Sequence, residues 1–179
     1  MQLRLKPCFS RRIKGGKPVA EEPAWKCYLT GGASNIEPSL SLGGERSNTI
    51  VEDYPHRLFH RSYAVDSEFG GSYFRVIDFV WTKPTTQDEV KAFIFGGTLS
   101  PSTGMYIGYD PTGNVELPDE RTPPAGISML SPNNLDEAID LGICRQGEAK
   151  RMVVQWFIAP GAENMMDVGH IAIQSSNPI

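Results

Sequence analysis

The sequence has 179 residues, of which 40% are hydrophobic, and it is rich in Gly (18) and Pro (14). This length fits one domain, and the many turn-forming residues argue against long helices. No apolar run reaches the ~18 residues that a membrane helix needs, so we expect no membrane partner.

The charge is unevenly distributed along the chain. The first 17 residues carry six bases and no acid, whereas the remainder has a net charge of −10. The six bases are Arg4, Lys6, Arg11, Arg12, Lys14 and Lys17. Residues 1–23 are predicted to be an extended arm with little regular structure, and its clustered cations would attract polyanions. A solubilising stretch, or an arm that packs on an acidic neighbour, is the alternative interpretation.

The first half of the body contains one clear strand and several weaker candidates. The aromatic and apolar residues 24–29 predict a short strand, and residues 40–42 could form another inside a Gly-rich loop. Residues 56–65 fit either a strand or a short helix. The run Tyr73–Trp81 is apolar in both parities, which predicts a strand that is covered on both faces.

The second half continues with four predicted strands and one predicted helix. The strands are Val90–Phe95, Gly104–Asp110, Lys150–Ile158 and Val168–Gln174. The helix is predicted over Ser131–Leu141, because Ser131 or Asn134 could cap its start and Gly142 could end it. Strands do not alternate with helices, so a parallel α/β sheet is disfavoured, and residues 24–179 are predicted to be all-β with one short helix, as either a β-sandwich or a barrel. Of these two, we expect the antiparallel β-sandwich.

Candidate catalytic and metal-binding patterns are weak. His56 and His60 have the spacing of two ligands on one helix face, but Arg57 lies between them, which disfavours a metal. Cys144 and His170 would form a nucleophile–base pair only if the fold brought them together. The three cysteines lack CxxC spacing, so a zinc or redox site is not expected. We therefore predict no metal, no cofactor and no enzymatic activity, and function is expected to lie in the surfaces.

One stretch of the sequence resembles a known family. An apolar strand follows Gly70-Gly71-Ser72, a second strand ends at Phe95-Gly96-Gly97, and the segment GMYIGYDPTGN (residues 104–114) precedes a Pro-rich loop. This order is similar to the jelly-roll coat proteins of picorna-like viruses. The chain's size and its basic arm resemble the plant viruses of the comovirus and cheravirus group, in particular the smallest coat protein of a cheravirus. Met1 would then be an end generated by a protease.

The resemblance implies a structural subunit of an icosahedral RNA virus, assembled in the host cytoplasm into the virion. Its partners would be copies of itself or sister coat proteins, and genomic RNA held non-specifically by the arm. Loops at the sandwich ends, including residues 118–124, would meet neighbouring subunits. The residues expected to pack between the two sheets are Phe74, Val76, Ile77, Phe93, Ile107, Val154 and Trp156. A β-sandwich module that binds carbohydrate or another ligand, and a β-rich hydrolase, are the alternative functions.

Overall fold

The computed structural model describes residues 2–5, 24–51, 58–59, 68–99, 101–162, 168–175 and 177–178. These residues form ten strands and a short 3-10 helix at Pro38–Leu40. The strands are β1 (Gln2–Leu5), β2 (Trp25–Thr30), β3 (Arg46–Ile50), β4 (Gly71–Trp81), β5 (Gln87–Thr98), β6 (Thr103–Asp110), β7 (Ile139–Cys144), β8 (Ala149–Ile158), β9 (Val168–Gln174) and β10 (Asn177–Pro178). No helix within these ranges is long and apolar enough to cross a membrane.

The strands are arranged in two sheets, as predicted for a β-sandwich. In the first sheet β5 lies between β9 and β7. β1 pairs with the other edge of β9, and the short strand β10 pairs with the start of β5, on the same side of β5 as β9. The second sheet has the order β3-β2-β4-β8-β6. Among the residues that the structure describes, every ladder is antiparallel except the pairing of β1 with β9.

The strand pairs are nested around the long loop that follows β6. Ile107 of β6 exchanges backbone hydrogen bonds with Leu130 just beyond this loop, with N···O distances of 2.7 and 2.9 Å. Outward from that bridge, β5 pairs with β7 and β4 pairs with β8. The chain from β4 to β8 is therefore one long hairpin folded over on itself, and its consecutive strands alternate between the two sheets.

The main core lies between the sheets. It includes Ile77, Ile107, Val154 and Trp156, as predicted. All residues from Tyr73 to Trp81 are buried, which confirms that β4 is covered on both faces. The outward-facing members Phe74 and Val76 belong to a second cluster on the far side of the second sheet, so their predicted place between the sheets is wrong. Phe93 is buried, but it belongs to neither cluster.

The helix predicted over Ser131–Leu141 is wrong. Asn134 does make a cap-like contact, since its Oδ1 accepts the N–H groups of Asp136 (2.9 Å) and Glu137 (3.0 Å). The chain then extends into β7, where Leu141 faces the core and the backbone pairs with β5. An Asx turn can begin either a helix or a loop, and the ladder with β5 decides the outcome here.

Three other predicted segments differ from the structure. Residues 40–42 are the end of the 3-10 helix and the residues after it, not a strand, whereas β3 at Arg46–Ile50 was not predicted. Residues 2–5 are the strand β1, although little regular structure was expected in the arm. Of the ambiguous segment 56–65, only Leu58 and Phe59 are described, and both are buried in the main core.

Candidate interaction surfaces

The outer face of the second sheet is covered by the chain itself. We call residues 41–44 and 111–130 the covering loops. They bury an apolar cluster against β4 and β8, made of Phe74, Val76, Leu117 and Val153, with Leu42, Val115, Ile127 and Met129 packed around it. Leu117 N–H donates to the Leu42 carbonyl (2.7 Å), which joins the two covering loops. This part of the outer face is therefore closed to neighbouring molecules.

Gly108 allows the covering loops to lie directly on β6. A Cβ atom at this position would come within 2.6 Å of Ile127 Cγ2 and 2.9 Å of the Ser128 carbonyl oxygen. Any larger residue would push the loop away from the strand. The Gly within the sequence GMYIGYD thus has a packing role, which the sequence pattern alone did not reveal.

A buried ion pair lies beneath the covering loops. Asp78 and Arg151 face each other across the ladder of β4 and β8, and only 2% and 7% of their surfaces are exposed. Arg151 Nε and Nη2 donate to the two Asp78 carboxylate oxygens at 2.8 and 2.9 Å. Nη2 also donates to the Gly44 carbonyl at 2.8 Å. The hydrogen bonds to Asp78 raise the pKa of Arg151, so the guanidinium stays charged, and its bond to the Gly44 carbonyl fixes the first covering loop.

A second set of contacts holds the other covering loop on the free edge of β4. Arg75, which is 2% exposed, donates through Nη2 to Glu120 Oε2 (2.5 Å) and through Nη1 to the Phe74 carbonyl (2.8 Å). Phe74 N–H in turn donates to the Glu120 carbonyl (2.7 Å). Arg121 Nη2 donates to the Tyr73 hydroxyl (2.8 Å). Part of the loop 118–124 is thus fastened to its own sheet, and its expected contact with neighbouring subunits stays a prediction.

Asp110 organises the turn at which the long loop begins. Its Oδ1 accepts the Thr112 N–H and hydroxyl (2.9 and 2.6 Å), and its Oδ2 accepts the Val115 N–H (2.7 Å). Burial raises the pKa of Asp110, but these hydrogen bonds outweigh that effect, and the net pKa lies below its ordinary value. The strong turn signal at residues 110–114 therefore corresponds to an ordered carboxylate cap.

The outer face of the first sheet carries exposed apolar side chains. Phe95 of β5 is 52% exposed, and its ring lies edge-on to Phe93 with the centroids 6.3 Å apart. Ile143 of β7 and Leu135, in the connection before β7, are exposed as well. Exposed apolar area is one feature of surfaces that meet a partner. The two sheets therefore present different outer faces.

The loop between β2 and β3, residues 31–45, presents a second apolar surface. Its side chains Ile36 and Leu40 are 66% and 59% exposed. The loop is nevertheless well organised, because Asn35 Nδ2 donates to the Thr30 carbonyl (2.6 Å) and Asn35 Oδ1 accepts the Glu37 N–H (2.9 Å). A loop that is already ordered loses little conformational entropy when it meets a partner.

The predicted arm residues lie largely outside the described part of the chain. Arg4 is in β1, where it is aligned with His170 of β9. The other five predicted residues, Lys6, Arg11, Arg12, Lys14 and Lys17, lie outside the described residues. The same holds for the candidate histidines His56 and His60.

The structure does not bring Cys144 and His170 together. Cys144 is aligned with Gln87 of β5, whereas His170 lies opposite the bulge that follows Ile94, about 25 Å further along that strand. Burial raises the pKa of the Cys144 thiol to about 11, so it is protonated at neutral pH. Within the described ranges, no group of three or more His, Cys, Asp or Glu residues is arranged to hold a metal ion.

No family model, no curated protein and no solved structure matches this chain significantly.

We expect Asp78→Asn to lower the free energy of unfolding by about 3–5 kcal/mol, because it leaves the buried Arg151 charge without its carboxylate. Replacing both partners by apolar residues, Asp78→Leu with Arg151→Met, should cost less than this single substitution. Urea denaturation would measure both effects, with the exposed carboxylate variant Asp136→Asn as a control that should change stability by less than about 0.5 kcal/mol. A loss below about 1 kcal/mol for Asp78→Asn would contradict the assigned role of the pair.

The low pKa of Asp110 predicts a dependence of stability on pH. A carboxyl whose pKa is lower in the folded state stabilises fully above its unfolded pKa of about 3.9, and this contribution is lost as pH falls through the folded pKa. We expect the stability difference between wild type and Asp110→Asn to shrink as the pH is lowered from 6 to 2. Denaturation at each pH measures it, and a difference that stays constant over this range would show that the turn does not depend on the carboxylate.

Proposed function

We propose that this chain is a jelly-roll subunit of an icosahedral virus shell, of the picorna-like type that the sequence resembles. The observation that carries the proposal is the nested pairing of the strands. A jelly roll is an eight-stranded, two-sheet Greek-key sandwich. A long hairpin folded over itself, as found from β4 to β8, produces the same alternation of strands between two sheets.

The remaining strands fit this topology with one departure. β9 pairs antiparallel with β5 and extends the first sheet, as the next strand of a nested hairpin would. Its other neighbour would be an antiparallel strand from the chain before β4, but β1 occupies that position and runs parallel. The hairpin of β2 and β3 is an addition at the edge of β4.

The surfaces support association of subunits. A shell subunit must bury apolar area against several neighbours while its own fold stays intact. The covering loops close part of the outer face of the second sheet, and the exposed residues Phe95, Ile143 and Ile36 lie on the first sheet and in the loop between β2 and β3. We propose no catalytic residue and no cofactor. We propose that the subunits assemble into a virion in the host cytoplasm.

Assembly of the purified chain tests the proposal. We expect light scattering and negative-stain microscopy to show closed particles whose yield rises with protein concentration. The substitution Phe95→Ser should lower this yield at least several-fold without changing stability much, because it removes exposed apolar area from the first sheet. Gln174→Ser, an exposed polar position on β9, is the matched control and should assemble normally. A monomer of about 20 kDa at every concentration, with and without RNA, would instead favour a ligand-binding module or a hydrolase.

The arm is proposed to bind genomic RNA without sequence preference. Replacing Arg11, Arg12 and Lys14 by Gln should lower the RNA content of particles and reduce the slope of log affinity against log salt by about 2, since each lost phosphate contact to a single strand contributes ~0.7. Filter binding over a salt series measures the slope. The control variant replaces Lys83, Lys91 and Arg145, three bases of the body, and should leave it nearly unchanged. Equal RNA content in wild type and the arm variant would refute this role.

A further inference from the structure

The pairing of β1 differs from every other ladder in the described part of the chain. Gln2–Leu5 runs parallel to Val168–Ile171, in the register Gln2 with Val168 and Leu5 with Ile171. The remaining ladders are antiparallel, and those from β4 to β8 belong to the nested hairpin. β1 is therefore attached to the sandwich from outside the hairpin. Separate chains also use this arrangement, because one common mode of binding adds a short strand of one chain to a sheet edge of another.

The link between β1 and the body is long enough to reach another molecule. Residues 6–23 separate Leu5 from Ala24, and an extended link of this length spans about 60 Å. A domain of about 180 residues has a diameter of about 40 Å. The chain length therefore permits β1 to pair with β9 of its own copy or with β9 of an adjacent copy.

The edge of β9 is stabilised by pairing with β1, whether that β1 belongs to the same copy or to an adjacent one. When β1 is absent, backbone N–H and C=O groups of residues 168–171 lose their hydrogen-bond partners along that edge. The ladder made by a second copy's β1 would be identical to the one seen within the chain. Exchange of an identical element between copies is a low-cost route to association, because no new contact has to evolve.

We propose that β1 is exchanged between copies, so that Gln2–Leu5 of one copy pairs with Val168–Ile171 of a second copy. The exchange needs two copies in proximity, which the proposed shell would provide, but it requires neither a closed particle nor RNA. It explains why the edge strand lies outside the nested hairpin and why a long link precedes β2. The result is a reciprocal strand-mediated contact at the edge of the first sheet.

Disulfide trapping between two differently tagged chains tests the exchange. One chain carries Gln2→Cys and the other carries Val168→Cys, both with Cys8→Ser, because aligned residues on neighbouring strands are close enough for a disulfide. After the two chains are refolded together and oxidised, we expect a linked species that contains both tags. It should be at least tenfold more abundant than in the control, where Gln2→Cys is mixed with Gln174→Cys, a position on β9 beyond the ladder with β1.

A single chain with both Gln2→Cys and Val168→Cys supplies the comparison within one copy. If this chain forms only an internal disulfide at concentrations where copies associate, and the mixed chains form none, the exchange is refuted. The absence of both disulfides refutes it as well, because the ladder itself would then be missing. Particles without a disulfide between chains would overturn the exchange and leave the shell proposal standing. A disulfide between chains in a simple dimer would support the exchange while the shell proposal fails.

Discussion

Strands β4 and β8 form the centre of the second sheet, and covering both of their faces is the constraint on which the rest of the structure depends. One face packs on the first sheet, and the other lies beneath the covering loops. A polar side chain in such a place needs a partner within the protein. Asp78 and Arg151 meet this need across the ladder, and Arg151 extends the contact to the Gly44 carbonyl. The position of the loop is thereby coupled to the register of the central strands.

This coupling makes the two sides of the sandwich unequal. The covering loops lie on much of the outer face of the second sheet, and the contact of Arg75 with Glu120 holds the second covering loop on the edge of β4. The first sheet has Phe95 exposed on its outer face and a four-residue parallel strand at the edge of β9. The contacts with other copies that we propose would therefore involve the first sheet, where apolar area and a short edge strand are found together.

The sequence predicted most of the central strands because their signal is local. A strand that is buried on both faces must be apolar in both parities, and this pattern was visible over Tyr73–Trp81 without knowledge of its neighbours. The candidate interaction surface was much less predictable. An exposed Phe95 and a buried Phe93 look alike in the sequence, and the partners Asp78 and Arg151 are 73 residues apart.

The sequence by itself determined the all-β class, the approximate positions of the six strands β2, β4, β5, β6, β8 and β9, and the contrast in charge between the basic first 17 residues and the acidic remainder. These properties follow from composition and from periodicity within single segments. Only the tertiary structure decided that the cap signal at Asn134 leads into β7 and that Phe74 and Val76 face a second cluster. The physical reason is that a segment's final conformation and its covered face depend on strands and loops that are distant in the sequence.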